Sequence, residues 1–228
     1  MYNMKYTAIR RKQFSRYVIT SYICLFPFSH AIYGNSCLGT APDHPFKKGA
    51  IAVWTFKDLN DATQKNSRLT KNGNVSVITL QGEEADASKA RGGDALVAKF
   101  DGGFLSAGQG ADNELNLNGK HLSILARVKA NYITGYTPIL TKAGNDQSLA
   151  YNVAFNPQGK NIYLEVLLGS DDIAGAHLLK YRIPREELTL WHDIIFRFNG
   201  KTSELYVDGQ LRDDEVTVGD IRVWNRRP

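Results

Sequence analysis

Hydrolysis of a glycosidic bond needs two carboxylates held about 5 Å apart when a covalent intermediate forms, one as nucleophile and one as proton donor. In this chain of 228 residues the nearest string is Glu84-Ala85-Asp86-Ala87-Ser88-Lys89, with Lys where a second glutamate would complete the set. The remaining acidic clusters, Asp171-Asp172, Glu186-Glu187 and Asp213-Asp214-Glu215, are consecutive. On a strand such neighbours point to opposite faces, so they read as solvated loop charges. His44, His121, His177 and His192 stand far apart, without the H-x-H or H-E-x-x-H spacing that holds zinc. Neither a G-x-S-x-G nucleophile turn nor a G-x-x-x-x-G-K-[ST] phosphate loop occurs. No catalytic residues are assigned, and the chemistry left is recognition.

Sugar recognition asks for an aromatic face to stack on the apolar side of a ring, with a few planar hydrogen-bonding groups beside it. Asn131-Tyr132, Gly135-Tyr136 and Gly144-Asn145-Asp146 supply both kinds of residue in predicted loops. The candidate carbohydrate contacts are therefore Tyr132, Tyr136, Asn145 and Asp146. The two tyrosines serve equally well as packing at the rim of a fold. Trp54, Phe56, Trp191 and Trp224 lie in predicted strands and read as structural side chains.

What must position these loops is a set of strands. In Trp191 to Leu211, WHDIIFRFNGKTSELYVDGQL, apolar Ile194, Phe196 and Phe198 alternate, Asn199-Gly200 allows a tight reversal, Leu205 and Val207 alternate again, and Asp208-Gly209 turns once more. This composite resembles the laminin-G-like, concanavalin A-like lectin/glucanase domains, whose pattern runs W-H-x-[IV]-x-[FV]-x-[FY]-[ND]-G and then L-Y-[IV]-D-G. Further stretches fall in the family's order: Ala50 to Phe56, Ala95 to Gly102, Gly103 to Ser106, His121 to Lys129, and Thr137 to Lys142. Asp220 to Arg226 matches the family's closing strand, but the usual spacer before it is missing. Glucanases of the related superfamily carry E-x-D-x-x-E, which this chain lacks.

With Val75 to Leu80, Tyr151 to Phe155, Ile162 to Leu168 and Leu178 to Ile183, about eleven strands are predicted. Lys57 to Asn74 and Gln81 to Gly93 read as polar loops, and Arg185 to Leu188 as one helical turn. The expected fold is all-β, a two-sheet antiparallel jelly-roll sandwich over residues 49–228, in one domain. The resemblance also implies a calcium ion, for which Asp112, Asp146, Asp171 and Asp172 are the loop carboxylates to inspect.

The formal net charge is +5, which invites a nucleic-acid or membrane-surface reading. Its distribution argues otherwise. Lys5, Arg10, Arg11, Lys12 and Arg16 precede the apolar run Tyr17 to Phe28, followed by Ser29-His30-Ala31. That is the layout of a secretory signal peptide over residues 1–31, too short to be a permanent span. Its removal takes five basic residues and no acidic one, leaving a neutral chain with a linker over residues 32–48. Cys24 leaves with the leader, so Cys37 remains alone, without an internal disulfide partner and without the apolar residue expected three positions before a lipid-bearing cysteine.

The sequence thus points to a secreted or periplasmic protein with a polysaccharide or other glycan as partner, no nucleic-acid partner and no stable membrane span. The resemblance implies a non-catalytic carbohydrate-binding or accessory module associated with a glycoside hydrolase, such as those of glycoside hydrolase family 32. A protein-interaction or adhesion domain of laminin-G type and a hydrolase using scattered carboxylates are the alternatives.

Overall fold

The structure is a computed structural model that describes residues 18–26, 50–56, 58–65, 68–90, 95–107, 115, 117, 119–142, 149–171 and 176–222. In chain order the strands are β1 (Val18–Phe26), β2 (Ala52–Trp54), β3 (Thr70–Asn72) and β4 (Val75–Thr79), then helix α1 (Gly82–Ala90). There follow β5 (Leu96–Phe100), β6 (Phe104–Ser106), β7 (Leu122–Ala130), β8 (Thr137–Lys142), β9 (Tyr151–Gln158) and β10 (Asn161–Leu168). The last are β11 (His177–Ile183), β12 (His192–Phe198), β13 (Thr202–Val207) and β14 (Gln210–Val216).

Every strand pair among the described residues is antiparallel. One sheet runs β14-β13-β12-β7-β1-β5-β4 with β2 also on β1, a second runs β11-β10-β9-β8, and β3 pairs with β6. The alternation in β12 buries His192, Ile194, Phe196 and Phe198 and leaves the residues between half-exposed. Those apolar residues meet Tyr151, Val153 and Phe155 of β9 and Leu164, Val166 and Leu168 of β10 in one hydrophobic core. The molecule is therefore a β-sandwich with its core between the two larger sheets.

The two turns read from the sequence have their physical cause in view. Asp208 and Gly209 both take positive φ, at 53° and 77°, the backbone of a two-residue hairpin matching strand twist. At Gly200 (φ 85°) a Cβ would also stand 2.9 Å from Lys120 Cβ. Asn199 Oδ1 accepts the Lys201 and Thr202 amides at 3.0 and 2.9 Å, closing the first turn.

Buried His192, only 3% exposed, ties these pieces together. Its Nδ1–H donates to Asp208 Oδ2 at 2.8 Å and its Nε2–H to the Glu187 carbonyl at 2.9 Å. Both partners are acceptors, so the imidazolium, which carries a proton on each nitrogen, is the form that makes both bonds. Burial pulls the His192 pKa down, but the hydrogen bond and charge of Asp208, with the Glu187 carbonyl, outweigh it and hold the pKa above its ordinary value.

Two segments depart from expectation. Gln81 to Gly93, read as loop, contains α1; Glu83 and Glu84 sit in its first turn, where carboxylates complement the helix N-terminus, and Ala85 packs with Leu80 and Val97. Asp213, Asp214 and Glu215 lie in β14 instead of a loop. Within the stretch expected as a leader, β1 pairs through its backbone with β7, β5 and β2 in the full-length chain. Residues 32–48, expected as a linker, lie outside the described residues, as does Cys37. Arg185 to Leu188 forms the expected turn, with the Glu187 amide bonded to the Pro184 carbonyl at 3.0 Å. Among the described residues no helix is long and apolar enough to cross a membrane.

Candidate functional site

The outward face of the four-stranded sheet gathers most of the residues with binding chemistry. Along β9, Tyr151, Val153 and Phe155 belong to the core, so Asn152 and Asn156 project from the other side. On β10, Leu164 and Val166 enter the core and Glu165 between them faces outward. Register aligns Ala154 with Glu165, and Glu165 with Lys180 of β11. A row of small, acidic and basic side chains thus crosses three adjacent strands.

Glu165 is 5% exposed and its carboxylate is fully engaged. Asn156 Nδ2 donates to Oε2 at 2.8 Å, Gln158 Nε2 to Oε1 at 3.0 Å, and Lys180 Nζ lies 3.3 Å from Oε1. Lys180 Nζ also donates to Gln158 Oε1 at 2.8 Å and stands 4.0 Å from the centre of the Tyr163 ring, a cation–π contact. The burial of a charge is thereby offset by an ion pair and two amide donors.

Tyr136, just before β8, borders this network. Asn152 Nδ2 donates to its hydroxyl, and the ring remains 49% exposed. Burial of the hydroxyl raises the Tyr136 pKa, the Asn152 bond opposes that, and the Glu165 charge adds to the rise. Glu165 is thus close enough for its charge to be felt at the phenol. A half-exposed tyrosine thus stands beside amides and a compensated charge pair.

Of the sequence candidates, Tyr136 belongs to this face. Tyr132 is exposed in the β7–β8 loop. Asn145, Asp146, Asp112 and Asp172 lie outside the described residues. Asp171 is described, and it clasps the closing stretch: its Oδ1 accepts the Asp220 amide at 2.8 Å and its own amide donates to the Asp220 carbonyl at 3.1 Å. Among the described residues no three His, Cys, Asp or Glu side chains converge. His177 Nδ1 lies 3.3 Å from Glu215 Oε1.

Sequence reading missed Asn152, Asn156, Gln158, Tyr163, Glu165 and Lys180. One local signal was available: Glu165 is the only charged residue in the otherwise apolar run Ile162 to Leu168. The opposite sheet carries polar clusters as well, and their side chains pair with one another. Arg127, 1% exposed, donates through Nη1 to Asp193 at 3.2 Å and lies 5.6 Å from the Trp191 ring centre. Arg197 and Tyr206 both donate to Glu204 Oε2. Arg222 donates to the Ser170 carbonyl at 2.6 Å, which places it in the closing clasp.

No family model matches the chain, and no curated protein does. Among solved structures it is similar to a chain described in connection with "Prominent members of the human gut microbiota express endo-acting O-glycanases to initiate mucin breakdown", at 14% identity and a TM-score of 0.33. The match covers 67% of this chain and 57% of that one, so the chain spans little more than half the length of the protein it resembles.

Proposed function

We propose that this protein is a carbohydrate-binding module that holds a glycan on the outward face of its four-stranded sheet. The observation that carries the reading is Tyr136, a half-exposed ring whose hydroxyl is fixed by Asn152 beside the Asn156–Glu165–Lys180 network. A fixed aromatic face next to planar amides suits the stacking of a sugar ring with its hydroxyls bonded at the rim. Stacking on a ring already held in place also needs little further ordering.

The β-sandwich is of jelly-roll, laminin-G-like type in this reading, and the chain is exported through a leader ending at Ala31 and acts beside a glycoside hydrolase, with fructans among the substrates to try. The sequence resemblance and the basic-then-apolar N-terminus support these points. The hydrolase alternative needs a second carboxylate free to act near Glu165, and Glu165 itself is held by Asn156, Gln158 and Lys180. The interaction-domain alternative has one observation in its favour, the exposed Leu211, Val216 and Val218 on and after β14.

Affinity electrophoresis of the wild type and Tyr136→Ala through gels containing levan, inulin, β-glucan, xylan and mannan tests the reading. Retardation by at least one polysaccharide is expected, weakened about tenfold or more in the variant, since a stacked aromatic contributes about 1–3 kcal/mol. Wild-type mobility unchanged in every gel refutes glycan binding, and equal retardation of both proteins moves the site away from this face.

A further inference from the structure

Glu165 does more than fill a polar site. It is acceptor-only as a carboxylate, it is 5% exposed, and an ammonium stands 3.3 Å away. Any carboxamide that bonds to it must therefore turn its NH2 inward. Asn156 does so through Nδ2 at 2.8 Å and Gln158 through Nε2 at 3.0 Å. The Gln158 oxygen is already taken by Lys180 Nζ at 2.8 Å. For half-buried Asn156 the end not held by Glu165 is the carbonyl oxygen Oδ1, which can only accept.

We propose that Glu165 is a positioning residue that fixes the Asn156 amide with its acceptor end outward, so that the face recognises hydroxyl donors of an uncharged glycan. The inference rests on the glycan-binding reading above. Lys180 is matched by Glu165 and by the Tyr163 ring, so the pair at the centre of the face is charge-balanced and gives an anionic sugar no unopposed ammonium. Leaving a buried acceptor facing an acceptor is costly, and a ligand group that can only accept is rejected at Asn156 for that reason.

The test compares full-length wild type with Glu165→Gln, which can either donate to or accept from Asn156 and so releases its orientation. Both are run through gels of levan, inulin, β-glucan, xylan and mannan, each native and O-methylated, with polygalacturonate as the anionic arm. Methylation removes hydroxyl donors and keeps the oxygens. The wild type is expected to prefer the native polymer by about tenfold or more, the loss of one well-placed hydrogen bond in a site that then leaves a polar group unpaired. In Glu165→Gln that preference falls to about threefold or less while Tyr136-dependent retardation persists, and exchange of the Asn156 side-chain NH2 protons, followed by NMR, accelerates about tenfold.

If Glu165→Gln keeps the full wild-type preference, the positioning role is overturned and the glycan-binding face stands. Unchanged Asn156 NH2 exchange overturns it without reference to any ligand. Retardation of the wild type by polygalacturonate alone overturns the uncharged-glycan assignment, and no retardation in any gel overturns both readings. Should Glu165→Gln not fold, Asn156→Ala removes the same acceptor and is expected to lose the same preference; its retention also overturns the inference.

Discussion

Replacing His192 by leucine removes two hydrogen bonds from one buried ring. The bond to Asp208 is charge-assisted, a class that contributes about 1.5–3 kcal/mol. Asp208 is 40% exposed, so solvent screening puts its share at the low end, about 1.5 kcal/mol. The Glu187 carbonyl loses its donor, at about 1 kcal/mol. The expected destabilisation is about 2–3 kcal/mol at pH 6, or about 5–10 °C in Tm for a chain of this size. The pH dependence has a definite sign. The folded pKa of His192 is raised, so its contribution is fully present below the unfolded value near 6.5 and is lost as pH rises through the folded value. The slope cannot exceed about 1.4 kcal/mol per pH unit for one proton. Urea unfolding of wild type and His192→Leu at pH 6 and pH 9 measures it. The difference between the two proteins cancels groups common to both, among them His177, and is expected to shrink at the higher pH. A gap of the same size at both pH values, or no gap at pH 6, refutes the imidazolium clasp.

Two further outcomes follow from backbone geometry. At Gly169 a Cβ would stand 1.8 Å from the Leu149 carbonyl oxygen, so Gly169→Ala forces two backbone segments apart; a loss of about 3 kcal/mol or more in urea unfolding is expected, and a loss under about 1 kcal/mol would contradict the close approach. A chain beginning at Ile32 lacks β1, which pairs with β7, β5 and β2 in the full-length chain; as the product of leader removal it is expected to unfold cooperatively in urea and to elute as a monomer, whereas loss of cooperativity or self-association through the bared strand edges would refute the leader.

The hairpins of β12, β13 and β14 were legible because every signal in them is local. Alternation assigns Ile194, Phe196 and Phe198 to one face, and Asp208-Gly209 accepts the positive φ of the turn. The same logic fails where the signal is degenerate or distant. An apolar stretch behind basic residues suits a leader and an inner strand alike, since neither needs a polar face, so the pattern of Val18–Phe26 does not choose between a leader and β1. Helix α1 has no apolar stripe in its sequence, and among its described side chains Ala85 is the one buried, so periodicity could not reveal it. Asp213 looked like a loop charge because its partner is remote: its Oδ2 accepts the Lys180 amide at 2.7 Å, serving an edge N–H of β11 that lies 33 residues back in the chain.

The candidate site shows the same division, and also why it is specified at all. Tyr136 follows Gly135 in a loop and announces itself; Asn152, Glu165 and Lys180 are meaningful only once three strands are in register. That register is in turn constrained by the residues it assembles. Slipping β10 by one position would exchange Glu165 for Leu164 or Val166 on the core side, burying a carboxylate among Val153, Phe155 and Leu179 of the core with no ammonium beside it. An unpaired buried charge is among the largest single penalties a fold can carry. With Glu165 outward, it meets Lys180 directly across β11. The carboxylate that orients the binding face is therefore also a reason why β9, β10 and β11 pair in the one alignment that creates that face.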